Sequence, residues 1–348
     1  MAENPALSSS IPYRAPWWLP GGHLQTLYGV LFAGSKVGWK RERWDTPDGD
    51  FVDVDRLPGP TGAPLVVLFH GLEGSSSSHY AGALARELER RGWRGAVVHF
   101  RGCSGEPNRL PRAYHSGDAE EIRWILRRFA AESRGAPLFA AGVSLGGNAL
   151  LKWLGEDAEA KHVLLAAAAI SAPVDLMAAG DALGRGFNLV YTRAFLATMR
   201  RKAEEKLARF PGLFDGNAMR RASTLRAFDD VVTAPLHGFR DTDDYWTRAS
   251  AKPVLRSIQA PTLMLNARND PFLPAAALPG PSDASGSVRL EFPDEGGHAA
   301  FVSSPFPGDI AWMPRRITAF FEEAMAARGT GSHARANGII PHRGTAPA

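Results

Sequence analysis

From residue 65 onward the chain alternates between short runs that are apolar throughout and longer stretches that are apolar on one helical face only. The runs at 65–69, 95–100, 137–141, 163–170 and 262–266 read as strands buried on both sides, and 288–292 as a last strand of the same sheet. Between them, residues 80–91 carry helical periodicity that stops at Gly92. Asp118 opens a second helix, to about 131, with Glu120 and Glu121 in its first turn, where the helix dipole favours them. Two more strands are predicted upstream, at 39–44 and 51–56, joined by the turn sequence Pro47-Asp48-Gly49-Asp50. Strands alternating with helices predict the α/β class, a mostly parallel sheet with helices on both faces.

The alternation lapses between about 177 and 250, where a long basic amphipathic piece at 191–209 precedes aromatic, acidic turns. That stretch reads as a helical cap inserted over one end of the sheet, and a helix at 310–327 closes the fold. Residues 1–15 are polar and punctuated by proline, so a flexible N-terminus is expected. The aromatic, apolar segment from Trp17 to Phe32 is expected to pack against the body or a pocket mouth. Residues 329–348, rich in Gly, Pro, Ala and His, are expected to be disordered, leaving one domain at 16–328.

Composition narrows the class. With 348 residues, 45% hydrophobic and 22% charged, the chain is of ordinary soluble globular type. The net charge of +4 is spread along it, and the densest basic clusters, Arg200-Arg201-Lys202 and Arg220-Arg221, sit on amphipathic helices as solvated faces. No nucleic-acid partner is therefore expected. Cys103 is the single cysteine, which excludes an intrachain disulfide and fits a reducing compartment. No secretory signal is evident, and no apolar run approaches the roughly 20 residues needed to span a bilayer. A cytoplasmic protein without an integral membrane segment is the expectation. No metal-ligand pattern or phosphate-binding loop is present, so no cofactor is expected.

The chemistry centres on Gly142-Val143-Ser144-Leu145-Gly146, between an apolar strand and a helix-compatible stretch. In that context the pattern reads as a nucleophile elbow, with Ser144 on a strained turn that only glycine neighbours leave room for. The competing reading is an ordinary β–α turn whose serine caps the helix. A serine hydroxyl needs a base, and the base needs an orienting acid. Asp270 follows the 262–266 strand. His298, in Gly296-Gly297-His298, follows the 288–292 strand. Serine, acid and histidine thus occur in the order and at the strand ends this chemistry uses. Asp175 is a reserve acid, although its setting also suits a turn. Two backbone N–H groups are required for the oxyanion, and Leu145 and Leu72 are the candidates. His70 is better placed to hold its loop than to act as base, and Glu73 to structure that loop or its entrance. Cys103 lacks a histidine–acid pair to serve it and reads as a packed thiol near the site.

These residues resemble the α/β-hydrolase superfamily and, more narrowly, its YheT-like branch. That branch groups bacterial hydrolases with eukaryotic α/β-hydrolase-domain lipases and embryogenesis-associated plant proteins. The resemblance is carried by His23-Leu24-Gln25-Thr26, His70-Gly71-Leu72-Glu73-Gly74-Ser75, Phe100-Arg101-Gly102-Cys103-Ser104-Gly105-Glu106, Tyr114-His115-Ser116-Gly117-Asp118 and Gly142-Val143-Ser144-Leu145-Gly146-Gly147-Asn148, over roughly 16–326. It implies a triad of Ser144, Asp270 and His298 and the hydrolysis of carboxylic esters. Eukaryotic relatives often carry an N-terminal membrane anchor, which this sequence lacks, and Gly21-Gly22 departs from the expected lead-in to His23.

The expectation is a serine esterase acting on small esters of short to medium acyl chains. Phe187, Tyr191, Phe195, Met199, Tyr245 and Trp246 of the cap are expected either to wall its acyl pocket or only to pack the cap onto the body. Two other readings stay open at this point. One is an acyltransferase or acylglycerol lipase on the same triad, and the other a non-catalytic binding protein on a hydrolase scaffold.

Overall fold

A computed structural model describes residues 12–32 and 37–336. In it the apolar runs pair into one eight-stranded sheet, because each can bury both faces only with neighbours on either side. The strands are β1 (Lys40–Asp45), β2 (Phe51–Leu57), β3 (Leu65–Phe69), β4 (Arg94–His99), β5 (Leu138–Val143), β6 (Ala166–Ile170), β7 (Thr262–Leu265) and β8 (Val288–Glu291). They lie in the order β1-β2-β4-β3-β5-β6-β7-β8. The hairpin β1–β2 and the pair β2–β4 are antiparallel, and every pair from β4 to β8 is parallel.

Helix α1 (Gly22–Gly29) precedes the sheet, and α2 (His79–Arg91), α3 (Ala119–Ser133), α4 (Leu145–Glu156) and α5 (Ala160–Val163) connect its strands. The strand period of two then divides the core cleanly. Leu65, Val67 and Phe69 of β3 face Ile122, Ile125, Leu150 and Trp153 of α3 and α4. Val66 and Leu68 turn the other way, onto Leu84 and Leu88 of α2 and Phe321 of the closing helix α12. Each such large apolar side chain contributes about 1.5–3 kcal/mol by leaving water.

Between β6 and β7 stands the cap: α6 (Leu176–Leu183), α7 (Leu189–Arg209), α8 (Gly216–Arg221), α9 (Leu225–Phe228), α10 (Ala234–Leu236) and α11 (Thr242–Ala249). It has an apolar cluster of its own around Leu196, Met219, Phe228 and Trp246. Its two roots are tied together, with the Lys252 N–H donating to the Val174 carbonyl at 3.0 Å and the Leu176 N–H to Ser250 Oγ at 2.9 Å. Asn148 of α4 fixes the exit root from below, donating to the Ala249 carbonyl at 2.8 Å and accepting from the Ala251 N–H at 3.0 Å.

Helix α12 (Trp312–Ala336) closes the fold. All eight expected strands are present, and the differences lie at element ends. The 163–170 run splits, because its start belongs to α5 and alanine carries little strand preference to mark the boundary. Helix α12 continues past 327 to Ala336, so residues 329–336 are helical rather than disordered; proline is absent there. At the other end Tyr13 is anchored, donating to the Val302 carbonyl at 2.7 Å and packing edge-on against Phe301 and Trp312. The flexible segment expected at 1–15 therefore does not include it. Residues 1–11 and 337–348 lie outside the described residues.

Candidate active site

Ser144 sits between β5 and α4 at φ 54° and ψ −121°, a strained conformation for a residue with a side chain. The turn is possible because its neighbours lack Cβ atoms. A Cβ on Gly142 would lie 2.5 Å from the Gly146 carbonyl oxygen, and one on Gly146 would lie 2.4 Å from the Phe69 carbonyl oxygen. The Ser144 N–H donates to the Ile170 carbonyl at 2.8 Å, and its side chain makes no capping bond to α4. The capping role that a β–α turn serine would play is thus absent, and the hydroxyl is left for the cavity it lines.

Asp270 follows β7 and His298 follows β8, and they meet. His298 Nδ1 lies 2.9 Å from Asp270 Oδ2 and 3.1 Å from Oδ1. The Asp270 side chain is buried, and its Oδ1 also accepts from the Phe272 N–H at 2.8 Å. Nδ1–H donating to the carboxylate leaves Nε2 as the acceptor atom of a neutral imidazole. No hydrogen bond joins His298 to Ser144 among the described residues. One strand end positions both: Ile170 accepts from the Ser144 N–H, and the next residue, Ser171, accepts from the Ala299 N–H at 3.0 Å. Phe272 lines the cavity and packs its ring 4.1 Å from the His298 ring, centre to centre.

The segment around His298 is held by α1. Thr26 Oγ1 accepts from the His298 N–H at 2.8 Å, and Gln25 Oε1 accepts from the Gly296 N–H at 2.9 Å and from Asn269 Nδ2 at 3.0 Å. Gly22 fits against the carbonyl of Asn269, where a Cβ would be 1.9 Å from the oxygen. The departure at Gly21-Gly22 noted in the sequence thus has a steric cause.

The Leu72 and Leu145 N–H groups line the same cavity and have no hydrogen-bond partner among the described residues. The Leu72 loop packs directly on the elbow, since a Cβ on Gly71 would lie 3.1 Å from that of Ser144. His70 holds the loop from beneath: it accepts from the Phe100 N–H at Nε2 and donates through Nδ1 to the Gly71 carbonyl. Burial pushes its pKa down to about 3, so it is neutral. Glu73, at φ 57°, is bound by the Tyr114 hydroxyl at 2.7 Å and by Lys202 of the cap at 2.9 Å. Lys202 also lies 3.3 Å from Cys103 Sγ, and burial pushes that thiol up to about 11, which keeps it protonated. Asp175 accepts from the Ala178 N–H and caps α6. This tie between cap and loop carried no signal in the sequence, because Glu73 and Lys202 are far apart in the chain.

Above Ser144 the cap encloses a cavity of about 400 Å³. Phe195, Met199, Tyr245 and Trp246 line it as expected, whereas Phe187 and Tyr191 do not. Tyr191 packs on Phe272 and His23 instead, and Phe187 is half exposed. The far end of the cavity is polar, with Arg101, Asn108 and Lys206.

A family model described as the alpha/beta hydrolase fold matches residues 64–305. The chain belongs to that family. Among α/β-hydrolases it is 40% identical over 301 residues to YheT of Escherichia coli (strain K12), a protein provisionally named an esterase, covering 85% of this chain and 88% of that one. It is 31% identical over 303 residues to mouse "Phospholipase ABHD3", covering 84% and 73% of the two chains. The solved structure of mouse alpha/beta hydrolase domain-containing protein 10 superposes with a TM-score of 0.51 at 15% identity, covering 82% of this chain and 99% of that one, a likeness of fold alone. This α/β-hydrolase contains no helix among the described residues that is long and apolar enough to cross a membrane.

Proposed function

We propose that this hydrolase cleaves carboxylic esters of short to medium acyl chains through an acyl-enzyme on Ser144. The observation that carries the reading is the strained Ser144, with its hydroxyl free of any capping bond, beneath an apolar cavity and beside two unpaired amides. Ser144 Oγ attacks the acyl carbonyl carbon while His298 Nε2 takes its proton. Asp270 holds the imidazole and stabilises its charged form, and the Leu72 and Leu145 amides bind the oxyanion. The carbonyl re-forms as the ester C–O bond breaks, and the leaving alcohol takes the proton from Nε2. Water then repeats the cycle on the acyl-enzyme, releasing the acid and free Ser144. Relatives named as an esterase and a phospholipase support the coarse activity.

A fluorophosphonate probe followed by peptide mapping tests the nucleophile, with labelling expected at Ser144. Folded protein that labels elsewhere or not at all refutes the reading. Among p-nitrophenyl esters from acetate to palmitate, each methylene buried in the cavity is worth about 0.8 kcal/mol, or roughly four-fold in kcat/KM. The profile is expected to rise and then fall once the cavity is full. A maximum at palmitate excludes the chain-length limit, and a flat profile excludes the cavity as the acyl site.

Gly22→Ala tests the buttress under the acid and base. A Cβ there displaces the Asn269 carbonyl, next to Asp270, and a shift of about 1 Å in a catalytic group costs about 100-fold. A loss of about 10- to 100-fold in kcat/KM with an unchanged circular dichroism spectrum is expected. Full activity would show that α1 does not position the pair.

A further inference from the structure

Large apolar side chains that stand strongly exposed are not scattered over this molecule. Among the described residues they fall in three short segments. Trp17 is 91% exposed, and Leu24, Leu27, Val30 and Leu31 continue from it along α1 and the turn that follows. Phe187 and Val190 lie at the start of α7, and Phe306 precedes α12. The segments touch one another: Trp18 packs 5.4 Å from Phe306, Tyr28 donates to the Pro307 carbonyl, and His23 packs 4.7 Å from Phe187. Together they form one apolar face.

Helix α1 is inverted relative to an ordinary surface helix. Its buried side carries Gln25 and Thr26, whose polar groups serve the His298 segment, and Gly29, which packs against Ala300, while its leucines point to solvent. Polar contacts explain the inner face, but nothing among the described residues covers the outer one.

Charge identifies what covers it. No aspartate or glutamate occurs between Glu3 and Glu42, or between Asp181 and Glu204. Arg14, Arg185 and Arg193 in these stretches are exposed and form no ion pair among the described residues. Of the acids beside the face, Asp309, near Phe306, is occupied by Ser303, Ser304 and the Ala311 N–H, and Glu295, although exposed, accepts from Gln25 Nε2 of α1 at 3.4 Å. Apolar and aromatic groups flanked by unpaired cations match the boundary of a bilayer with anionic headgroups.

We infer that this face docks the protein, without spanning, on an anionic lipid surface. The docked orientation turns the His298 side of the molecule toward the lipid, because α1 carries both the exposed stripe and the Thr26 contact to His298. Docking rests on the exposed face alone; drawing ester substrate from that surface rests also on the esterase reading.

Flotation of the full chain with vesicles tests it, using phosphatidylcholine alone and an equal mixture with phosphatidylglycerol. Binding is expected to the mixed vesicles, weakening as salt is raised. The Trp17→Ser/Leu31→Ser variant is expected to bind on the order of ten-fold more weakly, since two large apolar groups no longer insert. Both sites are exposed, so hydrolysis of p-nitrophenyl acetate is expected to stay at the parent level. No flotation of the parent, or equal flotation of the variant, overturns the inference. So does a concentration-dependent dimer that the variant abolishes, which would assign the face to a second copy. Flotation is read without any turnover, so loss of the docking and loss of the esterase reading are separately visible.

Discussion

Ser144→Ala and His298→Ala are each expected to lower kcat/KM on a p-nitrophenyl ester by roughly 10^4- to 10^6-fold, and the double variant by little more. The three groups act as one device. Without the hydroxyl no acyl-enzyme forms, and without the imidazole the hydroxyl keeps its proton at the moment of attack. Removing the second member after the first therefore takes away nothing that still works. The residual rate is expected to come from the proposed oxyanion amides of Leu72 and Leu145 and from binding in the cavity. Measured losses that multiply, instead of saturating, would mean that serine and histidine act independently. Retained turnover in Ser144→Ala would move the nucleophile elsewhere.

The largest effect on stability is expected from Arg101→Met. Arg101 follows β4 and is buried, with Nε 2.6 Å from Glu121 Oε2 and Nη1 at 2.8 Å from Asp48 Oδ2 and 3.0 Å from Asp50 Oδ2. Burial, and then Asp118, pushes the Glu121 carboxyl up to about 7 even with the guanidinium beside it. Asp50 is held below the usual range, against its burial, by Asn108, by the Arg109 and Phe51 amides and by Arg101. Methionine keeps much of the volume and leaves these carboxylates without their shared cation, at a cost of about 3–5 kcal/mol. The sign with pH follows. Loss of Arg101 raises the folded-state pKa of both carboxyls, so the folded variant binds more protons and the deficit narrows as pH falls. Urea unfolding at pH 8 and pH 5 measures it. A deficit under about 1 kcal/mol at pH 8, or one that grows on acidification, contradicts the network.

Much of the fold was legible because its central strands, β3 to β7, are buried on both faces and so appear as largely apolar runs. β3 and β7 are visible on hydrophobicity alone. β6 was legible as a run but not in its start, since Ala166–Ala169 carry neither the branching nor the ring that marks a strand. Within the site, the Asp270–His298 pair was anticipated from chain order and strand ends, and the structure brings those two into contact. What holds them was not legible. Thr26 and Gln25 reach residues 272 and 271 positions away, and no local pattern encodes such a contact. Their motif was visible at His23-Leu24-Gln25-Thr26, but its purpose needed the third dimension. Phe187 and Tyr191 were misplaced for a related reason. An aromatic residue in a cap helix has the same local signature whether it faces the cavity, another helix or water.

The tied roots of the cap have a consequence for how such a protein changes over time. The chain enters the cap at Val174 and leaves it at Lys252, two residues joined by one backbone hydrogen bond, with Asn148 bracing the exit. The entropic cost of closing such a loop grows only slowly with its length, since each doubling adds about 0.6 kcal/mol. The register of β6 and β7 is set by their own pairing, so changes of length between those roots leave it in place, while contacts such as Lys202 to Glu73 have to be kept or replaced. The sheet can thus stay constant while the chamber above the serine is rebuilt, which makes the cap the exchangeable module of this molecule.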